Sequence, residues 1–218
     1  MNKIKDPGSA ITHFIGSLMA IFAAFPLLMK APKEPIYLLS MGIFLMSLVL
    51  LYSASTIYHT FNLSEKINRR LKKFDHMMIF VLIAGTYTPV CIIVLGNKGG
   101  IALLALIWGM ALAGIIMTAF WVHSPKWLNA VIYIAMGWTC VLAFTQLINS
   151  LSKPAFIWLL AGGVIYTLGG IIYALKLPIF NNRHKYFGSH EIFHLFCIGG
   201  SLCHFILMYV YVINIPLN

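Results

Sequence analysis

Seven stretches of this chain contain no Asp, Glu, Lys or Arg: 10–29, 37–60, 77–95, 99–122, 128–151, 154–175 and 192–217. A hydrocarbon layer about 30 Å thick takes about 20 helical residues at about 1.5 Å each, so every one of these runs is long enough to span it. Composition agrees. Hydrophobic residues make up 61% of the 218 and charged residues 9%, against roughly 45–50% and about 25% in soluble domains. A water-soluble enzyme cannot hide that much apolar surface, and the class is excluded. Disorder and nucleic-acid binding go with it. The net charge of +10 comes from 15 Lys/Arg against 5 Asp/Glu held in short segments between the runs, which suits loops facing an anionic membrane surface. Cys91, Cys140, Cys197 and Cys203 all lie inside apolar runs without a C-x-x-C pair, as small buried hydrophobes do.

Turn chemistry separates the runs at Ala31-Pro32, Gly96-Asn97, Ser124-Pro125, Ser152-Lys153-Pro154 and Asn181-Asn182. Only the connections 61–74 and 176–189 exceed a few residues. The expected architecture is therefore an all-α membrane protein, one seven-helix transmembrane domain over 1–218. Its orientation follows from counting Lys and Arg on alternate sides. One side collects Lys3, Lys5, Lys66, Arg69, Arg70, Lys72, Lys73, Lys126, Lys176, Arg183 and Lys185, and the other Lys30, Lys33, Lys98 and Lys153, which is 11 against 4. The N-terminus is expected in the cytoplasm of a plasma-membrane protein and the C-terminus outside.

Ionisable residues inside a span are costly and call for a reason. Span two ends Ser55-Thr56-Ile57-Tyr58-His59, span three opens Asp75-His76, and span seven opens His190-Glu191-Ile192-Phe193-His194. Parity of crossings puts all three at one depth. His190 and His194, four residues apart, share a helix face about 6 Å apart along the axis; Ser55 and His59 do likewise. A catalytic zinc takes three protein ligands and keeps a fourth position open, which His59, His190 and His194 can supply. Asp75 is then a nearby carboxylate for the water or for a ligand imidazole; the plainer alternative makes it the N-cap of the third helix. His13 is a candidate neighbour of the site. His76, His123 and His184 carry no ligand role, and His204, far along the last span, reads as a packing or pathway residue. The H-E-x-x-H pattern also matches zinc proteases, but no L-D-G-type partner accompanies it.

The segments SASTIYH (53–59), LKKFDH (71–76), AGTYTP (84–89) and SHEIFHLFCIGGSLCHF (189–205) resemble the hemolysin III family, the bacterial branch of the progestin and adipoQ receptor family, itself related to alkaline ceramidases. The resemblance implies a seven-helix bundle with zinc on His59, His190 and His194, and with Ser55 and Asp75 around the water at the metal. It also implies membrane lipids as partners, with a fatty acid or ceramide-like substrate. The activity expected is a zinc-dependent lipid amide or ester hydrolase, or a lipid sensor, in membrane lipid homeostasis. The alternatives are a cytolytic, pore-forming hemolysin, and a receptor or channel whose zinc is purely structural.

Overall fold

Proline and glycine set where the apolar runs start and stop being helical. The computed structural model describes residues 4–121, 123–175 and 187–217. Helix α1 spans Pro7–Lys30 and α2 spans Pro35–Thr60. Each begins on a proline, whose missing N–H costs nothing in a first turn. Helix α3 covers Glu65–Leu95 and α4 covers Gly100–Phe120. The turn between them carries Gly96 at φ 49° and Gly99 at φ 89°, conformations that a Cβ disfavours. Helices α5 (Lys126–Ser150), α6 (Lys153–Leu175) and α7 (Ser189–Asn214) follow among the described residues. All seven are long and apolar enough to cross a membrane, and no strand occurs among the described residues. Lys3, Lys176, Arg183, Lys185 and His184, used above for orientation or set aside, lie outside those residues.

Sequence neighbours pack together along α1, α2, α3 and α4, and again along α5, α6 and α7, while α1 against α7 joins the two series. Helix α3 is the central element, with 78% of its most apolar window buried, against 17% for α5. Phe44, Phe80, Ile107, Leu207 and Met208 are fully enclosed. A Cβ on Gly114 of α4 would overlap the Phe80 ring of α3, so a small residue permits that close approach. Phe22, Phe25, Phe120 and Leu142 point outward as a lipid-facing surface.

One expectation is corrected here. The connection 61–74 is not a loop: only 61–64 is non-helical, and α3 starts at Glu65 with Ser64 at its N-cap. The basic segment is therefore the first turns of α3, and Lys73 donates to the Ala119 carbonyl at the end of α4, a favourable place for a cation. Asp75 lies ten residues inside the helix and is buried. It caps nothing. Helix α5 is not one regular helix. It is α-helical over Lys126–Gly137, 3-10 over Trp138–Ala143 and α-helical again over Phe144–Ser150. The Tyr87 hydroxyl donates to the Gly137 carbonyl (2.6 Å) and accepts from the Cys140 N–H (2.8 Å). A side chain from α3 thus supplies bonds that the helix would otherwise make to itself. Pro89 has a comparable effect on α3, which widens to a π turn over Val90–Leu95. All four cysteines are free; Cys91, Cys197 and Cys203 are buried and Cys140 half-buried.

Candidate metal centre

The last turn of α2 and the first turns of α7 bring three imidazoles to one point. One ring nitrogen each from His59, His190 and His194 lies within 4.8 Å of the others. His59 Nε2 and His190 Nε2 face each other at 3.2 Å. Two bonds of about 2.0–2.1 Å meeting at a tetrahedral angle hold nitrogens roughly 3.3 Å apart, so this pair already has the separation of two ligands on one ion.

Helix α1 sets which nitrogen is free. Asp6 Oδ2 accepts a hydrogen bond from His59 Nδ1 at 2.9 Å, and the Asp6 N–H donates to the His59 carbonyl at 2.9 Å. That hydrogen bond holds the Asp6 carboxyl below the usual carboxylate range. With the proton on Nδ1, the Nε2 lone pair of His59 is available to a metal. Thr12 does the same for His194. Its single hydroxyl hydrogen goes to the Gly8 or Ser9 carbonyl, both 3.0 Å away, so its oxygen accepts from His194 Nδ1 at 3.1 Å. His190 Nδ1 is buried without a hydrogen-bond partner among the described residues. His13 stacks on His194 with centroids 3.5 Å apart and planes 11° apart, and both its ring nitrogens are likewise unpartnered.

The arrangement fits a metal ion that prefers nitrogen. Three neutral imidazoles form a borderline-soft set suited to zinc, and carboxylate or hydroxyl partners behind two of them are what metal-binding histidines ordinarily have. Glu191 is not aimed at this point. Its carboxylate accepts from the Gly188 N–H (2.8 Å) and from Ser9 Oγ (2.5 Å), closing the first turn of α7 against α1. The second residue of the H-E-x-x-H pattern is thus occupied in holding a helix end.

Beside the histidines lies a cavity of ≈ 180 Å³ reached by His13, Ser55, Asp75, His76, His190 and His194. The Ser55 hydroxyl faces the Asp75 carboxyl but falls short of a full hydrogen bond, so Ser55 Oγ is buried and unpartnered among the described residues. A polar pair left open in this way can receive a water or a substrate oxygen between its members. The rest of the lining is mostly apolar, from Leu51, Ile79, Leu82, Ile83, Phe156 and Leu159 among others, and His204 closes the far end. His123 stands exposed in the turn before α5.

The structure thus brings together His59, His190 and His194, and places Ser55 and Asp75 on the adjoining cavity. Sequence reasoning missed Asp6 and Thr12. A signal for their helix was present: Ser9, His13, Gly16, Ser17 and Ala20 recur at helical spacing and are all buried, as small and polar residues are at contacts between membrane helices.

Comparison with known proteins gives a consistent result. The family model described as "Haemolysin-III related" matches residues 1–205. Hemolysin-3 of Bacillus cereus is 36% identical over 212 residues, covering 96% of this chain and 92% of that protein. The Hemolysin-3 homolog of Bacillus subtilis (strain 168) is 36% identical over 214 residues, covering 97% and 96%. A more distant relative is the adiponectin receptor protein of Drosophila melanogaster, 22% identical over 229 residues, covering 92% of this chain and 49% of the receptor.

Proposed function

The chain belongs to the haemolysin-III-related family of multi-pass membrane proteins, and from that premise we propose that it is a zinc-dependent hydrolase of lipid amides or esters. The observation that carries the reading is the cluster of three histidine nitrogens beside a cavity lined by Asp75 and Ser55. His59, His190 and His194 would hold the zinc. When bound, zinc acidifies a water and polarises a carbonyl.

The chain's own residues do the rest. The apolar cavity lining receives an acyl chain and excludes bulk water. Asp75, buried beside the histidines, accepts the proton of the attacking water at a carboxylate oxygen. As the carbon–nitrogen or carbon–oxygen bond breaks, Asp75 returns that proton to the leaving atom, so the products are a fatty acid and a neutral amine or alcohol. Ser55 keeps the Asp75 carboxyl turned toward the water. Asp6 and Thr12 hold two of the imidazoles in the tautomer that leaves Nε2 free.

Orientation completes the reading: the N-terminus and the histidine end face the cytoplasm, a reading supported by the 11-to-4 Lys/Arg asymmetry. An impermeant thiol reagent applied from outside is expected to label Asn97→Cys and not Ser64→Cys; the reverse pattern inverts the topology. The function itself is tested by purified protein incubated with ceramide-like amides, with bound zinc and released fatty acid both measured. Zinc in a fourfold protein sphere with no release would make the metal structural instead. The names of the bacterial relatives favour a second reading, permeabilisation of target membranes. Leakage from liposomes that survives loss of His59 would support that reading against hydrolysis.

A further inference from the structure

The cavity has a second polar end. His204 is fourteen residues after His190 on the same continuous helix, about 21 Å further along its axis. It lines the same cavity and is buried. Its Nδ1 is enclosed without a hydrogen-bond partner among the described residues. The other side of the ring lies against Gly162 of α6, where a Cβ would collide with it.

Its surroundings are arranged around hydroxyls. Tyr166 stacks on His204 at 5.6 Å between centroids. Tyr166 OH lies 2.7 Å from Ser201 Oγ, which lies 2.6 Å from Tyr52 OH, which donates to the Cys197 carbonyl at 3.1 Å. Tyr166, Ser201 and Tyr52 thus form one chain of hydroxyls that ends on the Cys197 carbonyl. A hydroxyl both donates and accepts, so the Tyr166 hydroxyl, bonded to Ser201, keeps capacity for a further partner. An imidazole whose Nδ1 makes no hydrogen bond among the described residues and a tyrosine stacked on it therefore line the same mostly apolar cavity. An unmade hydrogen bond in such surroundings is expensive, whereas one small group that both donates and accepts would satisfy the pair.

We infer that His204, with Tyr166, is a second anchoring point for the lipid in this cavity, and that the preferred ligand is a long acyl chain carrying a hydroxyl group toward its far end. The inference rests on the cavity being a lipid site, as proposed above. A hydroxyl is the group that meets both partners; a plain hydrocarbon end leaves both unmet, and a charged end would have no counter-ion among the side chains named here.

The test is competition for bound, radiolabelled palmitate on purified protein, comparing palmitate with analogues whose hydroxyl is moved stepwise from mid-chain to the ω carbon. At one position the hydroxylated chain should bind roughly five- to tenfold more tightly than palmitate, the yield of one neutral hydrogen bond. In His204→Leu that ratio should fall to about one, and His204→Gln should restore part of it. Tyr166→Phe should lower it while the imidazole remains. A ratio of one at every position in the wild-type protein overturns the inference even if the variants fail to fold, and so does a preference that persists in a folded His204→Leu. If neither palmitate nor any analogue binds, it is the lipid reading of the cavity that fails. If palmitate binds and the hydroxyl makes no difference, only the second anchor is lost, and a cavity water is the partner of His204.

Discussion

The two ends of the cavity are both lined by histidine from α7, and they are built differently. At the end nearest α1, three imidazoles converge, two of them gripped from behind by Asp6 and Thr12. At the other, His204 stands alone with an open nitrogen beside a chain of hydroxyls. Histidine in a membrane span is thus not one signal but two. What separates them is whether a neighbouring helix fixes the tautomer and brings further imidazoles within reach. Convergent, oriented imidazoles suit a cation, whereas a solitary neutral one suits a hydroxyl.

The largest effect should come from removing a member of the convergent set. His194→Ala leaves two imidazoles and is expected to reduce zinc from about one per chain to background, because two neutral ligands are too few for a stable site. His204→Ala should keep the full complement. Metal analysis of both proteins, purified side by side, checks the pair of outcomes. Equal zinc in the two variants would erase the distinction between the ends.

Asp75→Asn should rank next. It keeps size and one acceptor but removes the base, so hydrolysis of a lipid amide should fall by on the order of 10²–10⁴-fold while zinc content stays near that of the wild type. Because Asp75 sits inside α3 rather than at its start, a lost N-cap cannot account for a change in melting temperature. Loss of zinc along with activity would instead place the carboxylate on the metal.

The contrast between the ends also shows what the sequence could carry. Helical parity and the four-residue spacing of His190 and His194 were enough to anticipate a three-histidine cluster with Asp75 close by. The start of α3 was not legible, because the basic segment before Asp75 looks like a loop to any reading based on apolar runs, yet it forms helix at the bundle's edge. The partners on α1 were hidden for a different reason. In water the apolar stripe of a helix marks its inner face, but in a bilayer the outer face is at least as apolar: Phe14, Phe22 and Phe25 of α1 face outward. The rotation of α1, and with it the contacts of Asp6 and Thr12, follows from small and polar residues instead. The break in α5 depends on Tyr87, 50 residues earlier in the chain than Gly137, and no local pattern encodes it.

Asp6→Asn tests the charged partner behind the metal end. A carboxylate that accepts from a metal-binding imidazole orients the ring and raises its basicity, and such partners are typically worth 10–100-fold in metal affinity. Asn can still accept through its carbonyl oxygen but brings no charge, so zinc affinity measured by chelator competition should weaken toward the upper part of that range. An unchanged affinity would mean that Asp6 only ties the N-terminal segment to the end of α2 through its backbone bond to His59.

Thr12 should matter less, and the reason is chemical. Both residues accept from an imidazole Nδ1 at similar distances, 2.9 Å for Asp6 and 3.1 Å for Thr12, but the threonine oxygen is neutral and a charge-assisted hydrogen bond is roughly twice as strong. Thr12→Val preserves the shape and removes the acceptor, leaving the His194 N–H without its partner. Zinc affinity should fall by about tenfold, the lower end of what an outer partner contributes. Thr12→Ser should recover most of it, because a serine hydroxyl can also give its hydrogen to the Gly8 or Ser9 carbonyl and accept from the ring. The His204 end supplies the control. Ser201→Ala interrupts the hydroxyl chain between Tyr166 and Tyr52 and should leave zinc affinity unmoved. A drop in zinc affinity for Ser201→Ala as large as that for Thr12→Val would show that the two ends are coupled through α7, and that the tautomer at His194 is not set by Thr12 alone.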